Sequence, residues 1–319
     1  MSTISILGDY EYVYVESEYY AALKKAGHDI KIHHEELKND LEIIDEIHDA
    51  EVVVLMRERT HLNKNVLSNA PNLSLISQTG KGLNHLDQEF AEKQGIEIRT
   101  TEGVSSQSVV ELTIGMMIGC ARQFSVHQLY MREALWEQTP GFELKGKRLG
   151  LIGFGHIGKG VSQIANSIGM DVVAWRPRGD KANEQEDYQV RILSLEEVLS
   201  TSDVVSIHLR LLPEFRQFLN RDRLRLLKKG AILINTSRGE LVDEQAIATL
   251  LENHHLLGAG IDTFTTEPLT DNPFKNSTNT ILTPHIGYVT YDVLQRFADA
   301  SLKNVIDWYN INDQVSPPF

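Results

Sequence analysis

The chain has 319 residues, 41% of them apolar and 24% charged, with a formal net charge of -13. Such a composition fits a soluble globular protein of about two domains, and the acidic balance argues against nucleic-acid binding and against docking on anionic membrane. A single cysteine, Cys120, excludes an internal disulfide and fits a reducing compartment.

In chain order, short β-branched runs at residues 4–7, 29–33, 51–55, 73–77 and 96–100 alternate with amphipathic stretches such as 17–25 and 86–93. Alternation of this kind predicts βαβ units and a parallel sheet. Residues 109–124 read as one long apolar helix, followed by a second helical piece at 126–136. Cys120 falls in its apolar run, 112–121, where it reads as core. That run spans about ten residues, against the roughly 20 a bilayer requires. No basic region followed by a long apolar run opens the chain, so cytoplasm is the expected compartment. A second alternation has strands at 148–152, 171–175, 203–208, 231–235, 259–264 and 279–282. These are nearly continuous apolar runs, the pattern of parallel strands buried on both faces. Residues 291–309 read as a helix returning to the first unit. His33, His34, His254 and His255 read as solvated, and no histidine or cysteine cluster has metal-ligand spacing.

The strand at 148–152 runs directly into Gly153-Phe154-Gly155-His156-Ile157-Gly158, which opens a helix. Strand, glycine turn and helix together form the dinucleotide-binding fingerprint. Gly153 allows the tight turn, Gly155 the close approach of a pyrophosphate, and Gly158 close packing of helix on strand. Backbone N–H groups of His156 and Ile157 then point at the phosphates. The next strand ends at Trp175, and Arg176 fills the slot where an NAD-binding unit usually carries an acidic residue, with Arg178 two positions on. A guanidinium cannot accept from a ribose 2′-hydroxyl but can bind a 2′-phosphate, so NADP is favoured and NAD is the alternative. Further on come Arg238, Glu267 and His285. A cation can grip a carboxylate, an imidazole can carry a proton, and a carboxylate can tune that imidazole.

Several ordered segments resemble the D-isomer-specific 2-hydroxyacid dehydrogenase family. They are Gln78-Thr79-Gly80-Lys81-Gly82-Leu83-Asn84-His85-Leu86-Asp87, Ser108-Val109-Val110-Glu111-Leu112, the glycine turn, Asn235-Thr236-Ser237-Arg238-Gly239, Asp262-Thr263-Phe264-Thr265-Thr266-Glu267-Pro268 and Thr283-Pro284-His285-Ile286-Gly287. The resemblance implies an α/β protein of two Rossmann-like domains, each a doubly wound parallel sheet, with the active site in an interdomain cleft. Residues 1–101 with 288–319 would form the substrate-binding, flavodoxin-like domain, and 102–287 the dinucleotide-binding Rossmann domain. Arg238 would hold a 2-oxo acid, His285 would protonate the developing alkoxide, and Glu267 would orient His285. Asp262 would receive the nicotinamide carboxamide, while His208, Thr236 and Gly287 would line the cofactor. Gly82 would offer its N–H to the substrate carboxylate, and Lys81 and Arg57 could meet an anion there.

The chain also departs from the family pattern. Asn84-His85 replaces a commoner Asp-Asn, Arg210 stands where proline is usual and could add charge near the adenosine, and Tyr288 replaces a glycine and could line the substrate pocket. The expected activity is reversible hydride transfer between NADPH and a small 2-oxo acid, giving a 2-hydroxy acid of D configuration, by a homodimer. Two alternatives stay open: a phosphite-type dehydrogenase, prompted by Lys81, and a non-catalytic cofactor-sensing protein.

Overall fold

The structure, a computed structural model, describes residues 2–101, 103–177 and 188–315. The chain divides into two compact units, Met1–Val104 with Val289–Phe319, and Ser105–Tyr288.

The first unit holds five parallel strands, β1 (Thr3–Leu7), β2 (Asp29–His33), β3 (Val52–Leu55), β4 (Leu75–Gln78) and β5 (Glu97–Thr100), in the order β2-β1-β3-β4-β5. Helices α1 (Glu18–Lys25), α2 (Asp40–Ile47), α3 (Lys64–Ser68) and α4 (Gln88–Lys93) connect them. Ser17, Asn39, Asn63 and Asp87 cap these helices, each side chain accepting a backbone N–H of the first turn. The C-terminal helix, Tyr291–Val315, packs over β3 and β4. It buries Val293, Leu294, Phe297, Leu302 and Val305. Ser77 Oγ donates to the Ser301 carbonyl at 2.9 Å, and Arg99 to that of Asn304 at 3.1 Å.

The second unit begins with α5 (Ser106–Ala121) and α6 (Phe124–Arg132). There follow β6 (Arg148–Ile152), α7 (His156–Ser167), β7 (Asp171–Trp175), β8 (Arg191–Ile192), α8 (Leu195–Thr201), β9 (Val204–Ile207), α9 (Arg221–Leu224), β10 (Ala231–Asn235), α10 (Glu244–Glu252), β11 (Leu256–Ile261) and β12 (Thr280–Leu282). Its seven-stranded sheet runs β12-β11-β10-β9-β6-β7-β8, all parallel. Every residue of β10 is buried, as a central strand covered on both faces requires. The strand order reverses between β6 and β9, so the carboxyl ends of these two strands bound the crevice where such sheets bind ligands.

Several boundaries differ from the sequence reading. The two helical pieces expected at 109–124 and 126–136 are α5 and α6, which meet at a 65° bend at residues 122–123 rather than at 125. Gln123 takes a left-handed φ of 54° at the break, and its side chain donates to the Pro140 carbonyl at 2.7 Å. The second piece ends at Arg132 rather than 136, because Ala134 is also left-handed, with a φ of 54°. The strand expected at 259–264 runs Leu256–Ile261 instead. Residues 262–264 leave the sheet because their polar groups serve the loops described below. Among the described residues no single helix is long and apolar enough to cross a membrane. Cys120 is fully buried, which pushes its thiol up to about 12. Of the four histidines read as solvated, only His254 is exposed. His33 pairs with Glu46 at 2.8 Å, His34 bonds the Asp9 carbonyl at 2.8 Å, and His255 bonds that of Leu227 at 2.7 Å.

Candidate active site

The glycine turn leaves β6 at the crevice. Gly153 has a φ of 100°, and a Cβ there would lie 2.5 Å from the His208 carbonyl oxygen. Only glycine lets the chain turn this close to the end of β9. At Gly155, by contrast, a Cβ would meet nothing within 4 Å. The first backbone bond of α7 runs from Lys159 N–H to the Gly155 carbonyl, 2.9 Å. The amides of His156, Ile157 and Gly158 therefore lie in the first turn, where a helix has donors without intrahelical acceptors. Open space before these donors fits a dinucleotide pyrophosphate.

Arg176 follows β7 directly, beside Trp175, whose ring stacks on Phe218 at 4.9 Å. Arg210 is exposed just past β9. Arg178 lies outside the described residues. His208 turns its Nε2 back to Ser206 Oγ at 2.9 Å, and burial drops its pKa to about 4, so the ring is neutral at pH 7. Thr236 Oγ1 shares a hydrogen bond of 2.8 Å with Thr113 Oγ1 on α5.

Arg238, Glu267 and His285 come together at the carboxyl edge of the same sheet. Glu267 Oε2 meets His285 Nδ1 at 2.7 Å, and its Oε1 accepts the Phe264 N–H at 2.8 Å. Burial raises the Glu267 carboxyl. The His285 bond, the Phe264 N–H and the charges of His285 and Arg238 outweigh it and hold Glu267 below the usual carboxylate range. Glu267 is therefore an anion at neutral pH and fixes which imidazole nitrogen faces it. His285 has a φ of 54°, a conformation that costs a non-glycine residue energy. Its N–H donates to the carbonyls of Asp262 at 2.8 Å and Thr283 at 2.9 Å, which hold it there. Tyr288 packs edge-on to the imidazole, with ring centroids 6.0 Å apart.

Asp262 anchors this loop. Its carboxylate accepts from Thr283 Oγ1 at 2.5 Å, Ile286 N–H at 2.8 Å and Gly287 N–H at 3.0 Å, and the residue is 1% exposed. Gly287 is held from its other side, its carbonyl accepting from Ser108 Oγ at 2.5 Å. Arg238 is set by its own turn: Asn235 Nδ2 donates to the Arg238 carbonyl at 3.0 Å, and Nη1 of Arg238 donates to the Ser237 carbonyl at 2.7 Å. Gly239 is forced, since a Cβ would collide with the Phe264–Thr265 backbone. Sequence reading missed these holders, Ser108, Thr113, Asn235 and Thr283. Their hydrogen bonds reveal them, Ser108 and Asn235 to backbone carbonyls and Thr113 and Thr283 to other side chains, and hydroxyls and amides carry no pattern of their own.

The remaining candidates are in the first unit. Arg57 is 8% exposed, Lys81 is exposed and Gly82 is half-buried. The Arg57 guanidinium lies against Gly80 and pairs with Glu58 at 3.2 Å. Glu58 was not among the residues expected at the site, yet its carboxylate lies against Gly82. Among the described residues no group of three metal-ligating side chains could hold an ion.

Residues 114–287 match the family model for the D-isomer specific 2-hydroxyacid dehydrogenase NAD binding domain. The chain is 34% identical over 275 residues to the hydroxypyruvate reductase of Thermotoga maritima, covering 84% of this chain and 87% of that one. It is 33% identical over 254 residues to the glyoxylate reductase of Thermococcus litoralis, covering 77% and 76%. A phosphoglycerate oxidoreductase from Vibrio cholerae superposes with a TM-score of 0.83 at 29% identity, covering 97% of this chain and 99% of that one. On this likeness in sequence and fold, the chain belongs to the D-isomer specific 2-hydroxyacid dehydrogenase family and is an NAD-binding oxidoreductase of hydroxy and oxo acids.

Proposed function

We infer that this enzyme reduces a small 2-oxo acid to the D-2-hydroxy acid and prefers NADPH. The observation that carries the chemistry is the 2.7 Å bond between His285 Nδ1 and Glu267 Oε2, with Arg238 close enough to act on the same carboxylate. With Nδ1 committed to Glu267, Nε2 is the nitrogen that delivers a proton to the alkoxide as general acid. Glu267 holds the ring's orientation and stabilises the imidazolium. Arg238 grips the carboxylate and carbonyl oxygen, which positions C2 and polarises the bond to be reduced. The bound nicotinamide supplies the hydride. The open space at Gly155 and the first-turn amides of α7 seat its pyrophosphate. Asp262 Oδ2 accepts one N–H, from Gly287, so it keeps lone-pair capacity for a carboxamide donor.

The preference for NADPH rests on Arg176 at the end of β7, with Arg210 as a second cation. In the first unit, the Gly82 N–H and Lys81 offer donors to the substrate carboxylate, and Arg57 supports that turn. The protein works as a homodimer. Phe124, Leu129 and Met131 on α6, with Leu135 and Trp136 beyond it, are 49–82% exposed, an apolar surface that a second copy would cover. Turnover of glyoxylate and hydroxypyruvate with NADPH and NADH tests the reading. Oxidation of phosphite with failure on both oxo acids would replace it.

A further inference from the structure

Glu267 stands on a short loop, residues 262–267, that follows β11 in the second unit. Phe264 roots this loop in the core: it is 6% exposed and packs near Phe274, with ring centroids 6.4 Å apart. Beyond it Thr265, Thr266 and Glu267 are exposed. The two successive amides at the bend donate to two different carboxylates. Phe264 N–H bonds Glu267 Oε1 at 2.8 Å, within the loop, and Thr265 N–H bonds Glu244 Oε1 at 2.7 Å, outside it.

Glu244 is the first residue of α10, and that helix is firmly seated. It buries Ala246, Ile247, Ala248, Leu250 and Leu251 in the core beneath the sheet. Asp243 caps it, accepting the Ala246 N–H at 2.9 Å, so the cap does not call on the Glu244 side chain. A carboxylate in the first turn also lies at the positive end of the helix dipole. The same stretch of chain meets the loop a second time at Gly239, where a Cβ would collide with the Phe264 carbonyl carbon and the Thr265 nitrogen. One peptide, Phe264–Thr265, is thus gripped twice: the backbone of Gly239 presses on it and Glu244 holds its N–H. Glu267 is two residues further on, so rotation of that peptide would swing its carboxylate.

We propose that Glu244 is a positioning residue for the acid–base pair: by holding the Phe264–Thr265 peptide it keeps Glu267 Oε2 at bonding distance from His285 Nδ1. This role rests on the reading of His285 as proton donor and Glu267 as its partner. The charges that face Glu267 are those of His285 and Arg238. A loop released from Glu244 keeps both of them but loses the 2.7 Å contact with the ring, and a carboxylate that drifts away stabilises an imidazolium less. Reacting geometry is sensitive on this scale, a displacement of about 1 Å costing up to about 10²-fold in rate.

Glu244→Ala removes the acceptor. For oxo-acid reduction kcat should fall by about 3–10-fold, and the falling limb of the pH–rate profile at high pH should move to lower pH, by less than Glu267→Gln moves it. NADPH binding, read by fluorescence titration, should hold. A residue that only supported α10 would lower Tm and leave the limb in place. Glu244→Asp keeps a charge at the helix N-terminus but falls one methylene short of Thr265, so it should shift the limb in the same direction while sparing the helix. Glu244→Gln retains a carbonyl acceptor and should recover most of the loss; a glutamine variant as impaired as the alanine one overturns the proposal. In the Glu267→Gln background the stabilising charge is already gone, so adding Glu244→Ala should move the limb no further. A further shift there overturns the proposal. A limb unmoved by Glu244→Ala and Glu244→Asp, but moved by Glu267→Gln, overturns it too and leaves the reading of Glu267 standing. A limb that Glu267→Gln itself leaves in place sinks both.

Discussion

The two units are built alike, each a parallel sheet with helical crossovers, yet their loops at the carboxyl edges are held by different means. In the second unit the site residues are fixed through the backbone. His285 is pinned by two carbonyls, Asp262 by three donors, and Gly153 and Gly239 by contacts that exclude a Cβ. In the first unit backbone bonds also hold the loops, Arg57 N–H to Thr79 Oγ1 and Gly80 N–H to Thr101 Oγ1, and pairs of charges are added to them. Arg57 pairs with Glu58, and Arg59 pairs with Glu11 through both Nη atoms at 2.7 and 2.8 Å while lying over the Tyr10 ring. Backbone pinning gives geometry that tolerates no substitution, which suits proton and hydride transfer. Paired charges give a surface whose net charge can be retuned one residue at a time.

The largest test of this contrast is at the pinned imidazole. His285→Ala should cut kcat by about 10²–10⁴ while NADPH still binds, measured by fluorescence titration. Glu267→Gln keeps the shape and removes the charge that stabilises the imidazolium. Reduction needs the protonated ring, so its falling limb at high pH should move to lower pH. An unchanged pH–rate profile would remove Glu267 from that role. Arg238→Lys keeps charge without the planar fork and should cost at least ~10²-fold in kcat/KM, about 2.7 kcal/mol of transition-state stabilisation.

Cofactor choice comes next in size. With Arg176 in the acidic slot, NADPH gains a charge-assisted contact of about 1.5–3 kcal/mol, so kcat/KM should favour it over NADH by at least ~10-fold, less as salt rises. Arg176→Asp should reverse the order. Equal use of both cofactors by the wild-type enzyme would reduce Arg176 to a surface residue.

How much of this could be read beforehand follows from the same contrast. Backbone demands leave residue-type signatures, so the glycine turn and Arg238-Gly239 were visible in the sequence. So was the direction of the strands, because burial on both faces demands continuous apolar runs such as β10. The position of the break between α5 and α6 was not, because it depends on Gln123 reaching Pro140 across the chain. Glu58 was not either. A glutamate between two arginines reads as a solvated loop charge until Gly82 is seen against it.

A finer test separates two glycines of one motif. Gly153→Ala forces a left-handed alanine into the His208 carbonyl and should destabilise the enzyme by about 1–3 kcal/mol. Gly155 has an ordinary φ of -92° and open space beside it. Gly155→Ala should therefore leave unfolding within about 0.5 kcal/mol of wild type while weakening NADPH binding at least ~10-fold by occupying the pyrophosphate's place. Loss of stability at Gly155, or intact binding, would mean that the cradle is elsewhere.

The smallest effect sets one carboxylate from each unit against the other. Asp203, at the start of β9, takes a bond from Lys228 Nζ at 2.6 Å and another from the Arg148 N–H at 2.9 Å. Burial raises its carboxyl, but these bonds and the nearby lysine charges prevail and hold it below the usual range. Its contribution is present above the unfolded value near 3.8 and fades as pH falls through the folded one. Asp9 in the first unit is the reverse case. It is fully buried, and burial raises its carboxyl despite the Val13 and Tyr14 N–H groups and His34. A raised acid costs stability when ionised, and that cost is relieved as pH falls through its folded pKa. Asp203→Asn should thus flatten the loss of stability below about pH 4, by at most ~1 kcal/mol because Lys228 is half exposed and screened. Asp9→Asn keeps an acceptor for Val13 without the buried charge, so it should raise Tm slightly at pH 8 and change it least in acid. Denaturation of the full chain across pH 3–8 reads both, and slopes of the same sign for the two variants would mean that these carboxylates do not differ as their surroundings imply.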